Sequence, residues 1–109
     1  MQSFCEKASR SVLPAIRSII SRELMNIYGL KQRQVAELLG ITQPAVSQYI
    51  RESRGSKVSL MEKYESLMDK IDDLSSDLVS GNLKPKEFQQ RMCDICGYIK
   101  SNKKLSSLC

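Results

Sequence analysis

The segment from Gln32 to Arg51 constrains the fold of this 109-residue chain more than any other part of it. It contains two short stretches with helical spacing of apolar residues, separated by the three residues Gly40-Ile41-Thr42. A glycine allows the left-handed turn that reverses the chain, and the small side chain of Ala36 lets a second helix cross close to the first. The segment therefore predicts two short helices packed at a tight angle.

The same segment supplies the caps and the apolar contacts that such a pair of helices requires. Thr42 is a favourable cap for the second helix, and the first turn of that helix accepts Pro44. The apolar contacts between the helices are predicted at Val35, Leu39, Ile41, Val46 and either Tyr49 or Ile50.

Every other long segment also has helical spacing, and strand-like alternation is missing, so the sequence predicts an all-α fold of five helices. The first helix should run from a cap at Ser11 to Gly29, a loop should occupy residues 52–57, and the last helix should follow Pro85. Residues expected to be buried are Leu13, Ile16, Ile20, Leu24 and Ile27 in the first helix and Phe88, Met92, Ile95 and Ile99 in the last.

A long helix is predicted from Ser59 to Gly81, because Ser59 and Glu62 have the spacing of a capping box. Its apolar residues recur at alternating steps of four and three, which is the pattern of a heptad seam. The seam consists of Leu60, Tyr64, Leu67, Ile71, Leu74 and Leu78. So narrow a stripe suits one partner helix, and we therefore expect a homodimer with the seam as its interface.

Charge divides the chain into two unlike regions. Residues 1–58 contain nine Lys and Arg against four Asp and Glu, a net charge of +5, whereas residues 59–109 contain eight of each. A basic half beside a neutral half indicates that the first half meets a polyanion, although charge that only maintains solubility would give the same count. We expect a DNA-binding region at 1–58 and a helical, cysteine-containing dimerisation region at 59–109.

Residues 31–51 resemble the helix-turn-helix of transcriptional regulators of the phage repressor and Cro (XRE) type. Within that group they are most similar to small archaeal regulators with a C-terminal CxxC and a similar Thr-Gln-Pro-Ala-Val-Ser-Gln-Tyr sequence. The resemblance implies that the second helix lies in the major groove of double-stranded DNA and reads base edges. The residues it implies for base reading are Gln43, Pro44, Ser47 and Gln48, with Gln43 suited to adenine.

The resemblance also implies that Gln32 contacts phosphate and braces the first residue of the recognition helix. Lys31 stands where the family often has a Ser or Thr cap. Basic residues at the edges of the motif are natural phosphate contacts, namely Arg33, Arg51, Arg54 and Lys57. The alternative is a helical hairpin, or a helix-turn-helix used for protein contact. DNA binding is favoured because the small residue, the glycine, the apolar residues and the outward polar residues all stand where the motif requires them.

The chain contains four cysteines and no histidine, so a metal site would be all-thiolate. Cys93 and Cys96 lie three residues apart on a predicted helix and face one side, while Cys5 and Cys109 lie near the chain ends. Such a site would hold an iron–sulfur cluster or zinc. The resemblance adds that such cysteines are suspected cluster ligands in some archaeal relatives. Disulfides, or thiols that pack between helices, are the alternatives.

The amino terminus lacks the pattern of a secretory signal, and no stretch approaches the ~20 apolar residues of a membrane span. We therefore expect a cytoplasmic protein without a membrane partner. The βαβ context of a thioredoxin-like enzyme is missing, so no enzymatic activity is predicted. The sequence predicts a homodimeric transcriptional regulator with a metal- or redox-responsive cysteine region. The alternative is a cysteine-based metal or redox protein whose helix-turn-helix contacts protein.

Overall fold

The computed structural model describes residues 12–102, and these residues form six α-helices without a strand. The all-α prediction is confirmed for this part of the chain. The helices are α1 (Val12–Asn26), α2 (Gln32–Leu39), α3 (Gln43–Glu52), α4 (Ser56–Met61), α5 (Glu65–Val79) and α6 (Pro85–Ser101). None of them combines the length and the apolar composition that a membrane crossing requires.

α1 is the central element, and all five other described helices contact it. It can play this part because it is apolar on more than one side: Ile16, Ile19, Ile20 and Leu24 have no exposed surface. The predicted apolar stripe is confirmed except at its last position. α1 ends at Asn26, one residue before Ile27, whose side chain is 68% exposed.

The pair α2 and α3 forms at the predicted positions. Gly40 has a φ of +70°, in the left-handed region where a side chain is strained, and the N–H of Ile41 donates to the carbonyl oxygen of Ala36 at 3.0 Å. Thr42 Oγ1 accepts a hydrogen bond from the Ala45 N–H at 3.2 Å, which confirms it as the cap of α3. At the start of α2, Lys31 occupies the cap position without a capping side chain of its own. Gln34 supplies a capping bond instead, because its Oε1 accepts from the Lys31 N–H at 2.9 Å.

The long helix predicted from Ser59 to Gly81 is two helices in the structure. Tyr64 is extended, with φ −104° and ψ 100°, and separates α4 from α5. Ser59 lies inside α4, where its Oγ donates to the Gly55 carbonyl oxygen at 3.2 Å, so the predicted capping box is wrong. Because α4 already begins at Ser56, the loop expected at residues 52–57 shortens to residues 53–55.

The break between α4 and α5 changes which side chains reach the core. Val58 and Met61 are buried, whereas Leu60, the first residue of the predicted seam, is 44% exposed. A straight helix would have brought Leu60 onto the same face as Leu67. The bend therefore replaces one set of apolar contacts by another, which the spacing of the seam did not predict.

The rest of the seam is buried inside the chain. Leu67, Ile71 and Leu74 have no exposed surface and Leu78 is 1% exposed, while Tyr64 is half-buried. α5 packs these side chains against α1 and α6 of the same chain. Leu67, Ile71, Leu74 and Leu78 therefore have no surface left for a second copy, which contradicts the predicted dimer interface at these four positions. The homodimer itself stays a prediction.

One hydrophobic core joins all six helices. Its residues come from both sides of the boundary predicted between residues 58 and 59, and this boundary falls inside α4. Val58, directly at the boundary, is 2% exposed. The two predicted regions are therefore not separated at this point in the described residues.

α6 begins at the predicted Pro85, and the predicted residues Phe88, Met92, Ile95 and Ile99 are all buried. Its first turn is capped by Glu87, whose Oε1 accepts from the Lys84 N–H at 2.9 Å. Polar contacts along the outside hold it to α5. Arg91 pairs with Asp77 at 2.8 Å, and the hydroxyls of Ser66 and Tyr98 lie 2.7 Å apart.

Candidate nucleic-acid interface

The outward side of α3 carries all four predicted base-reading residues. Successive helical residues are turned by about 100°, so positions 43, 44, 47, 48 and 51 lie on one side of α3 within about 140°. Gln43, Pro44 and Gln48 are exposed and Ser47 is half-buried. On the opposite side Val46 has no exposed surface and anchors α3 in the core. The helix is therefore fixed on one side and presents a continuous stripe to solvent on the other.

Gln32 of α2 borders this stripe. Together with four residues of α3, namely Gln43, Pro44, Ser47 and Arg51, it lines an open depression on the surface. Gln32 Oε1 accepts a hydrogen bond from Ser47 Oγ at 2.8 Å. The resemblance implied that Gln32 braces the first residue of α3, but its bond goes to Ser47 in the second turn. The bond fixes α2 relative to α3 and occupies the hydroxyl proton of Ser47, whose oxygen can still accept.

A second polar chain runs along α3 itself. Arg51 Nη2 donates to Gln48 Oε1 at 2.6 Å, and Gln48 Nε2 donates to Glu52 Oε1 at 3.5 Å. These residues are three and four positions apart, which is the spacing at which side chains on one helix face meet. Both ends of the Gln48 amide are thus engaged by neighbours on the same helix.

The other predicted phosphate contacts surround α3. Arg33 at the start of α2 and Arg54 after the end of α3 are exposed, and Lys57 at the start of α4 is half-buried. Along the chain, basic residues therefore lie both before and after α3.

Arg22 has a structural role that could not be predicted from local sequence patterns. Its Nη1 donates to the carbonyl oxygen of Ser53 at 3.4 Å, at the C-terminal end of α3, and its Nη2 pairs with Glu62. The partners are 31 and 40 residues away along the chain, beyond the reach of any local spacing. The residue ties α1 to the end of α3 and to the turn after α4.

A buried carboxyl group lies between α1 and α5, on the side chain of Glu23. Ser75 Oγ donates to Glu23 Oε1 at 2.9 Å, and the Asp72 carboxyl is a further hydrogen-bonding neighbour. Burial, followed by the contact with Asp72, raises the pKa of Glu23 from 4.5 to about 7. The Ser75 hydrogen bond and the charge of Arg22 oppose the shift without cancelling it.

The predicted cysteine site is described only in part. Cys96 has no exposed surface and belongs to the core, Cys93 is half-buried, and both lie on α6. Cys5 and Cys109 lie outside the described residues. Between residues 12 and 102 no group of three or more His, Cys, Asp or Glu side chains could hold a metal ion. The two thiols of α6 would therefore need both remaining cysteines to complete a four-thiolate site, while the burial of Cys96 fits the packing role.

Comparison with known families agrees with this geometry. Residues 22–73 match the family model described as Helix-turn-helix. The matched segment begins in the last turns of α1, contains α2, α3 and α4, and ends inside α5. Residues 22–73 are therefore similar to helix-turn-helix domains, a class of domain that binds DNA.

Within that class, the match supports the resemblance to regulators of the repressor and Cro (XRE) type. It extends that resemblance beyond residues 31–51 to the end of α1 and into α5. It does not reach the cysteines of α6. Comparison of the chain with curated proteins and with solved structures gave no match.

Proposed function

We propose that the protein is a sequence-specific DNA-binding transcriptional regulator whose helix α3 enters the major groove of duplex DNA. The observation that carries the proposal is the outward stripe of α3, on a helix held in the core by Val46, within a segment that matches the helix-turn-helix family. The major groove is about 12 Å wide and accepts an α-helix with its side chains. A stripe of exposed polar side chains can then reach the base edges.

Gln43 is the proposed reader of one base pair. Its amide oxygen and amide nitrogen can pair simultaneously with N6 and N7 of adenine, a geometry that distinguishes the four base pairs in the major groove. Pro44 and Ser47 lie beside it and can contact a thymine methyl group and a base-edge donor. Arg33, Arg54 and Lys57 would contact phosphates, which position the protein without reading sequence. Gln32 supports this arrangement through its bond to Ser47.

We propose further that the regulator acts as a homodimer on two half-sites about 34 Å apart. Leu67, Ile71, Leu74 and Leu78 of the heptad seam cannot supply the contact, because they are buried inside the chain. The described residues leave four larger apolar side chains exposed, Ile27, Tyr28, Leu60 and Val79, and these are the candidates for the contact surface. Sedimentation of the protein alone and bound to a duplex with two half-sites tests the stoichiometry.

The function is tested by selecting bound sequences from random duplexes and then measuring affinity with Gln43→Ala. We expect the variant to lose about 1–3 kcal/mol on the selected duplex and little on an unrelated duplex, because base reading is lost and phosphate contacts remain. Gln90→Ala, an exposed glutamine of α6, is the matched control and should leave both affinities unchanged. Affinity should also fall steeply with salt, as phosphate neutralisation requires.

An equal loss on every duplex would mean that Gln43 supports binding without reading bases. A wild-type protein that selects no sequence and binds duplex DNA without salt dependence would refute the proposed function. That result would favour the alternative, a cysteine-based metal or redox protein whose helix-turn-helix contacts protein. Metal or redox responsiveness of the regulator itself is a separate proposal, since it requires Cys5 and Cys109 in addition to the pair on α6.

A further inference from the structure

We infer that Arg51 reads a guanine in the major groove and that Gln48 is the positioning residue that holds it, an inference that rests on the proposed function. The sequence pattern gave these two residues the opposite roles, with Gln48 on a base and Arg51 on a phosphate. Three observations on α3 support the exchange: the place of Arg51 on the stripe, its hydrogen bond to Gln48, and the engagement of the Gln48 amide.

Around the helix axis Arg51 lies near the middle of the outward stripe, and along the axis it lies in the last turn of α3. At about 100° per residue, Arg51 lies within about 20° of Pro44 around the helix axis, two turns further along. It also lines the same open depression as Gln43 and Ser47. It is the one basic residue of α3, and its side chain is exposed. When the outward side of α3 faces the groove, the guanidinium of Arg51 faces it too.

The guanidinium is held in place before DNA arrives. Gln48 Oε1 accepts from Arg51 Nη2 at 2.6 Å, one turn back on the helix. A guanidinium has five N–H donors in a planar fork, so one bond to Gln48 leaves enough donors for the O6 and N7 acceptors of guanine. Restricting a long side chain in advance lowers the entropy that binding would otherwise cost.

The same bonds make Gln48 unsuited to read adenine. Bidentate pairing with adenine uses the amide oxygen as acceptor and the amide nitrogen as donor. In the structure the oxygen is engaged by Arg51, and the nitrogen by Glu52 through the longer bond of 3.5 Å. Reading adenine would break both, whereas positioning Arg51 uses the stronger one as it stands.

The spacing of the two readers on α3 predicts the spacing of the bases. Gln43 and Arg51 are eight residues apart, which is about 12 Å along the helix axis at 1.5 Å per residue. At 3.4 Å per step along a DNA strand, this corresponds to about three or four base pairs. The selected half-site should therefore contain a guanine about three or four positions from the base read by Gln43.

The experiment measures the affinity of Arg51→Ala, Gln48→Ala and the double variant for the duplex that the wild type selects. Each protein is also measured on duplexes with single base-pair changes and on an unrelated duplex. Arg51→Ala should lose about 10- to 100-fold on the selected duplex, with the loss confined to one guanine position. Gln48→Ala should lose less, at the same position, and should add no further loss in the Arg51→Ala background.

Arg54→Ala is the matched control, because Arg54 is exposed just beyond the end of α3. It should weaken binding to every duplex alike and lower the slope of log affinity against log salt by about 0.9. All substituted positions are exposed, so circular dichroism and the melting temperature should remain those of the wild type. Arg51→Lys keeps the positive charge but not the planar fork of donors, so it should not restore the full preference for guanine on the selected duplex.

The inference is overturned if Arg51→Ala behaves like Arg54→Ala, with a uniform loss and a lower salt slope, since Arg51 would then contact a phosphate. It is overturned equally if Gln48→Ala changes the preference at a base position different from that of Arg51→Ala. In both cases the proposed function stands. A wild-type protein without any sequence preference would remove the proposed function together with this inference.

Discussion

Replacement of Glu23 by Gln should stabilise the protein at neutral pH, although it alters a buried and hydrogen-bonded side chain. Glu23 is 9% exposed and has the Asp72 carboxyl and the Ser75 hydroxyl as neighbours. A glutamine has nearly the same size, can accept the hydrogen bond from Ser75, and can donate one to Asp72. It removes a negative charge that burial and Asp72 disfavour.

The sign follows from the direction of the pKa shift. The pKa of Glu23 is raised from 4.5 to about 7 in the folded protein, so the folded state binds this proton more tightly than the unfolded chain does. The stability that the protonated Glu23 side chain contributes is therefore fully present below pH 4.5 and is lost as the pH rises through about 7. At 1.36 kcal/mol per pKa unit, the shift from 4.5 to about 7 corresponds to a loss of at most about 3.4 kcal/mol.

Because Asp72 is exposed and water screens part of the repulsion, we expect a difference of about 2 kcal/mol. Urea unfolding of the wild type and Glu23→Gln at several pH values measures it. The two proteins should have similar stability near pH 4, and the variant should be more stable by about 2 kcal/mol at pH 8. The reasoning would be refuted if the difference in the free energy of unfolding were constant over this range. It would also be refuted if the wild type became more stable relative to the variant as the pH rises.

Three further predictions concern the core, the turn and the cysteines. Leu67→Ala should cost about 2–5 kcal/mol, equally at low and high protein concentration, because Leu67 is buried within one chain; a loss confined to dilute protein in urea unfolding would restore the seam interface. Gly40→Ala should lower the free energy of unfolding by about 1 kcal/mol, because the φ of +70° is strained for alanine, while the added methyl group would have room. A thermal melt measures this, and an unchanged melting temperature would contradict it. If the four cysteines hold a cluster or zinc, protein purified without oxygen should contain it and Cys93→Ser should not; a metal-free wild type would leave Cys96 as a packing residue.

The pair α2 and α3 could be predicted from the sequence because its determinants are local. Gly40 and Thr42 act on residues within one turn of themselves, through a left-handed φ and a cap at 3.2 Å. The outward stripe follows from the helical period alone once α3 is placed. The start of α6 at Pro85 was predictable for the same reason. Local signals of this kind need no knowledge of what packs against them.

The prediction of one long helix failed at α4 and α5, because the local spacing of apolar residues and the packing against distant helices favour different structures. The steps from Leu60 to Leu78 fit a single heptad helix, but in the structure the chain bends at Tyr64 and α4, which contacts α1, buries Val58 and Met61. The bend also places Glu62 within reach of Arg22, 40 residues earlier. Spacing along one segment cannot report which other helix will accept its side chains, and a seam looks the same whether its partner is internal or external.

The arrangement around α3 separates the residues that hold this helix from those that we propose to read DNA. Val46 on its inner side, the Thr42 cap and the Arg22 bond to Ser53 fix the helix at its middle, start and end. None of these three lies on the outward stripe. Substitutions on the stripe therefore change little buried area, and surface changes of this kind usually alter stability by less than about 0.5 kcal/mol. Sequence preference could thus change on one side of α3 while the fold is preserved by the other.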